Sequence, residues 1–123
     1  MYLSQSNIKA LRHKVENKGG FQVAIAPMQP STYLNVKIAT DNLYQELTNA
    51  GISVLVDDRN QKPKNMFEVI AFLGIQHRVV ISGRSISAGV FEYKNLETEE
   101  FIKVEEKEMG SFLLEKLAFL RKL

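Results

Sequence analysis

The sequence predicts an α/β domain: a mixed five-stranded sheet, with a parallel core plus an antiparallel edge hairpin, flanked by helices. Three observations lead there. Short apolar runs at 21–26, 52–56 and 78–82 alternate with amphipathic stretches of helical period, and crossovers of that length make the strands they join parallel. Two further extended runs, 90–94 and 100–104, are separated by a short polar loop, which is a hairpin signal. The length, 123 residues, fits one compact domain with a single core.

Each element has a local reason. Residues 6–17 read as a helix, with Ser6 as cap, Ile8, Leu11 and Val15 on one face, and Gly19-Gly20 as its stop. The run 21–26, ended by Pro27, suits a strand buried on both faces. After a turn-rich loop, 36–50 form a helix in which Ala39, Leu43 and Leu47 recur every four residues before Gly51. The second strand is 52–56. Asn65 followed by Glu68 has the spacing of a capping box, so the third helix is expected over 65–73, closed by Gly74. The third strand, 78–82, centres on Val79-Val80-Ile81, and 85–89 make one helical turn. The hairpin has its loop at 95–99. The last helix, 107–121, carries Met109, Phe112, Leu113, Leu117 and Leu120 on one side. Residues 1–20 are expected to form an N-terminal helical extension and 21–123 the domain proper.

Composition narrows the function. Sixteen basic against fourteen acidic side chains leave a net charge of +2, so any nucleic-acid contact must come from a local patch rather than a global field. The chain has no cysteine, which rules out a disulfide framework or a zinc ribbon and fits a reducing cytoplasm. No apolar run approaches the roughly 18 residues of a membrane span, and no signal-peptide core is visible. With two histidines, His13 and His77, and no His-x-x-x-His spacing, neither a metal nor another cofactor is expected. His77 reads as a structural residue and His13 as a solvated one. Dinucleotide and phosphate-loop glycine patterns and a nucleophile elbow are absent. Asp57 and Asp58, being adjacent, point to opposite faces of a strand and cannot act as an acid/base pair. No catalytic constellation assembles, and the chain is expected to perform no chemistry of its own.

The informative run is Asp57-Asp58-Arg59-Asn60-Gln61-Lys62-Pro63, at the carboxyl end of a strand, where open α/β sheets meet their ligands. It continues into Met66-Phe67, Leu73-Gly74-Ile75-Gln76-His77-Arg78-Val79-Val80-Ile81 and Arg84, and then into Gly89-Val90-Phe91-Glu92-Tyr93-Lys94. Upstream stand Phe21-Gln22-Val23-Ala24-Ile25-Ala26-Pro27-Met28 and Leu43-Tyr44, Glu46-Leu47 and Ala50-Gly51-Ile52. Over about residues 21–120 this succession resembles the anticodon-binding domain of class II aminoacyl-tRNA synthetases, in particular that of bacterial-type prolyl-tRNA synthetases.

The resemblance implies a non-catalytic domain that holds the anticodon stem-loop of proline tRNA for a separate catalytic domain or subunit, in the cytoplasm. Neither DNA nor a membrane is implied as a partner. Proline tRNAs share two guanines in the anticodon, whose O6 and N7 suit arginine or lysine and whose N1 and N2 hydrogens suit a carboxylate. On that basis Asp58 and Arg59 are the candidate base-edge contacts and Lys62 a phosphate or base contact, with Arg84 completing the RNA-binding set. Phe67 has two readings, stacking on an unpaired base, worth roughly 1–3 kcal/mol, or core packing. Asp57 is expected to cap or salt-bridge the strand end.

Some positions depart from the family pattern. Its Arg-Pro-Gly-Val is Lys62-Pro63-Lys64-Asn65 here, and the acids of the following helix are Val69 and Ala71. Its proline before the histidine is Gln76, and the glycine of its Gly-x-Arg is Ser82. Its basic pair after Tyr-Lys is Asn95-Leu96, followed by Glu97, Glu99 and Glu100. These changes support an alternative: an interaction or accessory subunit that kept the fold and lost specific tRNA recognition. The chain is expected to be either an excised C-terminal domain or a free-standing relative of one.

Overall fold

The computed structural model describes residues 1–5 and 20–121. The expected helix at 6–17 lies outside the described residues. Five strands form one sheet in the order β2-β1-β3-β4-β5. They are β1 (Val23–Pro27), β2 (Val54–Val56), β3 (His77–Ile81), β4 (Val90–Asn95) and β5 (Phe101–Glu105). β1 pairs in parallel with β2 and β3, while β3–β4 and β4–β5 are antiparallel. This is the mixed sheet the alternating runs predict.

The helices are α1 (Leu34–Asn49), α2 (Pro63–Phe72), the single turn α3 (Gly83–Ser87) and α4 (Met109–Arg121). A 3-10 turn, Glu106–Glu108, leads into α4. Strand period two divides the core in two. Val23, Ile25, Val79, Ile81, Phe91 and Tyr93 point to one face, where Val36, Leu43 and Leu47 of α1 and Met109, Leu113 and Leu117 of α4 cover them. Ala24, Ala26 and Leu55 point to the other, beneath Met66 and Ile70 of α2. Small side chains on β1 let that helix come close. Two helices stop where glycine takes a positive φ, 84° at Gly51 and 72° at Gly74. There the amides of Ile52 and Ile75 reach back to the carbonyls of Leu47 and Ile70 at 3.0 and 3.3 Å.

Most boundaries shift by one or two residues from those expected, as with the strand now starting at Val54 and the turn now at Gly83–Ser87, and the start of α2 shifts for a clear reason. The Asn65–Glu68 capping box does not form; α2 begins at Pro63, with Lys62 as its N-cap and no side-chain cap bond. Proline at the first helical position has its φ already set and lacks only an amide that would have been unpaired anyway, so it moves the start two residues upstream. A capping box does occur at α3, where Ser82 and Ser85 exchange side-chain and backbone hydrogen bonds.

The first residues join the sheet edge. Tyr2 bridges in parallel to Val56, and Leu3 is buried under the α2 face. The ammonium group of Met1 donates to the Val54 carbonyl at 2.7 Å. No helix among the described residues is long and apolar enough to cross a membrane.

Candidate nucleic-acid interface

Because β1, β2 and β3 run in parallel, their carboxyl ends open onto one edge, and the segments leaving them meet there. The loop after β2 is held from inside. Asp57 is buried, and its amide donates to the Ile25 carbonyl at 3.0 Å. Its carboxylate accepts from Nε and Nη2 of Arg59, both at 2.8 Å. The hydrogen bonds to Asp57 bind the Arg59 proton more firmly still, outweighing the opposing effect of burial. This fork leaves three N–H groups of the guanidinium for a ligand.

Asp58 turns the other way. Its two oxygens accept from the amide and hydroxyl of Ser4, at 2.9 and 2.7 Å. A carboxylate offers about four acceptor positions, so capacity remains. Asn60, at φ 58°, accepts from the Ser31 amide at 3.3 Å, which ties the β2 loop to the loop after β1. Lys62 is exposed at the start of α2, and Arg84 is exposed on α3, after β3. Asp58, Arg59 and Lys62 thus follow the carboxyl end of β2, while Arg84 follows that of β3 on a turn packed against the opposite face from α2. Phe67 stands apart, a turn inside α2. Its ring packs against the α2-side core, and the Arg78 guanidinium lies 3.7 Å from its centroid.

A cleft of about 300 Å³ opens at the same edge, lined by Tyr2, Pro27, Pro30, Lys37, Asp41, Asp58 and Asn60 among others. Burial works against the Asp41 carboxylate, yet hydrogen bonds from Lys37 (2.8 Å) and Tyr2 (2.6 Å) outweigh it and hold it below the usual carboxylate range. The Tyr2 phenol is pushed up, first by burial and then by that bond. Charge is mixed at the edge. Lys37, Arg59 and Lys62 share the carboxyl edge with Asp41, Asp57 and Asp58, and the hairpin turn at the far end carries Glu97, Glu99 and Glu100. Among the described residues no group of three His, Cys, Asp or Glu side chains is placed to hold a metal.

Residues 22–116 match the family described as Anticodon binding domain. The chain belongs to this family. The match spans all five strands and most of α4. Such domains are the non-catalytic, tRNA-binding part of class II aminoacyl-tRNA synthetases, and this role carries over at that level. Within this anticodon-binding domain, sequence reasoning missed the lining of the cleft and gave Arg78 no role. Tyr2 and Asp41 meet only through a bridge joining the amino terminus to β2. Arg78 does carry a signal, since period two on β3 sets it opposite in facing to His77 and Val79.

Proposed function

We propose that this anticodon-binding domain holds the anticodon stem-loop of proline tRNA in the cytoplasm, as a module of a prolyl-tRNA synthetase or as a free-standing relative acting with a synthetase catalytic domain. Residues 21–123 form the RNA-binding unit in this reading and 1–20 an extension from it. The observation that carries it is the fork of Arg59 onto buried Asp57. It fixes one cation, with N–H groups to spare, beside the carboxylate of Asp58 and near exposed Lys62. Guanine asks for that combination: donors for O6 and N7, an acceptor for N1 and N2 hydrogens. Arg84 and Lys62 meet phosphates, and Arg59 and Asp58 the base edges.

The test is a titration of the chain with proline tRNA and with the same tRNA carrying changed anticodon guanines, at two salt concentrations. Preference for the native anticodon supports the reading, and loss of saturable binding at low salt ends it. Binding without preference reduces the interaction to backbone electrostatics.

A second reading, an interaction subunit, is favoured by α2. Where related domains carry acids, this one has Val69, packed against the core, and exposed Ala71, next to half-exposed Phe72. Restoring acids with Val69→Asp and Ala71→Glu separates the two. Gain of guanine preference shows that recognition had been lost.

A further inference from the structure

The sheet has two outer strands, and the chain treats them differently. The edge of β2 is met by Tyr2, which bridges to Val56. β5 pairs with β4 alone, and no strand among the described residues pairs with its outer side. The Asn95 amide donates to the Glu100 carbonyl at 2.9 Å, and the Glu106 amide to the Gly89 carbonyl at 3.0 Å. Bonded pairs alternate along an antiparallel ladder. Between those two pairs, therefore, Ile102 and Val104 bond to β4, while the amides and carbonyls of Phe101 and Lys103 point outward. The register is unbroken from Val90–Glu105 to Lys94–Phe101, so no bulge turns this edge away, and β5 contains no proline. Phe101 is 54% and Ile102 41% exposed, and strand alternation puts them on opposite faces. A free edge flanked by exposed apolar side chains is a template for another strand.

Charge decides which strand. From residue 97 to residue 108 the chain carries six glutamates and two lysines, although its net charge is +2. All eight are exposed. Glu100 is held by Lys116 at 2.6 Å and Glu105 lies 3.8 Å from Lys107. Glu97, Glu99, Glu106 and Glu108 have no ion pair among the described residues. A second copy fits badly, because full overlap of two antiparallel β5 strands sets Lys103 opposite Lys103 and brings two acid-rich segments together. An RNA strand would bring its phosphates against the same acids. A basic peptide in extended form meets both the edge and the charge.

We infer that the outer edge of β5 is a docking site for an extended basic segment of a partner protein, which adds a sixth strand antiparallel to β5. Its main chain bonds to Phe101 and Lys103, and its apolar side chains pack beside Ile102 and Val104. An acidic residue faces Lys103, and lysines or arginines on either side meet Glu100, Glu105 and Glu106. β5 and β2 are opposite edges of the sheet, so this site is separate from the loop after β2 and does not rest on the anticodon reading.

The test titrates the full chain with the peptide Lys-Lys-Val-Glu-Val-Lys-Lys and follows affinity and backbone amide exchange. Binding protects the amides of Phe101 and Lys103 about tenfold or more. Methylating the amide of the central glutamate keeps the peptide's charge and removes its bond to the Lys103 carbonyl, and it weakens binding about tenfold. Lys103→Pro removes one outward amide and spares the bonds to β4, as an edge strand allows, and it weakens binding more than Lys103→Ala, which removes the same charge. Glu105→Gln with Glu106→Gln weakens binding about threefold and flattens its salt dependence. If the methylated peptide binds as well as the unmethylated one, the contact is charge alone and the inference is lost. It is lost too if the unliganded chain sediments as a dimer that Lys103→Pro dissolves, which gives the edge to a second copy. Protection of the same amides by a mixed-sequence RNA strand and not by the peptide also overturns it. The guanine preference in the tRNA titration is untouched by any of these results, so the proposed function stands or falls separately.

Discussion

Arg59 grips the buried carboxylate of Asp57 with two hydrogen bonds of 2.8 Å, across only one intervening residue. Charge-assisted forks of this kind are strong, and Asp57 is 1% exposed. The two ends of the pair are therefore unequal under mutation. Arg59→Ala strands a buried anion and costs about 3–5 kcal/mol. Asp57→Ala leaves a guanidinium that can turn to water, at about 1.5–3 kcal/mol. Urea denaturation of both variants checks the order. Arg59→Ala is consequently a poor probe of RNA contact on its own, since folding and binding fall together. Lys62→Ala and Arg84→Ala are the cleaner probes, both side chains being exposed.

Acid should weaken the fold through His77. The ring is 3% exposed, with Nδ1 at 2.7 Å from the Tyr93 hydroxyl and Nε2 buried without a partner among the described residues. Burial first, then the charge of Lys116, pull its pKa below the ordinary 6.5, against smaller opposing effects of Glu100 and Glu97. The unfolded chain thus binds the proton that the folded chain refuses. Stability is full above 6.5 and declines as pH falls toward the lowered folded value, by at most about 1.4 kcal/mol per pH unit. Urea midpoints at pH 7.5, 6.0 and 5.0 should show this loss, and His77→Asn should flatten it. An equal slope in that variant would assign the acid response to other groups.

The fold was legible because its apolar runs are short and punctuated. Pro27, Gly51 and Gly74 mark where a strand or helix must end, and the hairpin of β4 and β5 announces itself by two extended runs. The start of α2 was misplaced because Pro63 outcompeted the Asn65–Glu68 pattern, a case where fixed φ overrides a side-chain signal. The site was legible only where its partners are close in sequence, as with Asp57 and Arg59. Asp58 finds Ser4 across 54 positions, and Arg78 finds Phe67 only after α2 lies on the sheet. No spacing rule announces contacts made by the assembled fold.

Gly110 marks the close approach of α4 to α1. A Cβ built there would run into the Glu46 carboxylate, the mobile end of a flexible side chain. Gly110→Ala should therefore push that carboxylate away from the amino end of α4. The lost charge–dipole interaction, about 0.3–1 kcal/mol, roughly offsets the gain in helix propensity of up to about 1 kcal/mol. The single variant should thus melt near the parent. In a Glu46→Ala background the same change has nothing to displace, and it should stabilise by up to about 1 kcal/mol. Thermal melts of the four proteins close the cycle, and purely additive effects would mean that the two residues do not interfere.

Asp58 has two partners to satisfy if it reads guanine, and they can be separated. Ser4→Ala removes the hydroxyl bond of 2.7 Å while the amide bond of 2.9 Å stays. The pair is solvent-exposed, so stability should drop by no more than about 1 kcal/mol, and guanine preference should hold. Asp58→Asn keeps the shape and exchanges an acceptor-only group for one that also donates. Against the N1 and N2 hydrogens of guanine that exchange is repulsive, and discrimination between native and guanine-changed anticodons should fall about tenfold, the scale of one base contact. Competition binding with the two tRNAs measures the ratio directly. If Asp58→Asn lowers stability as Ser4→Ala does and leaves the ratio untouched, Asp58 serves only to hold the amino-terminal turn, and base reading falls to Arg59 alone.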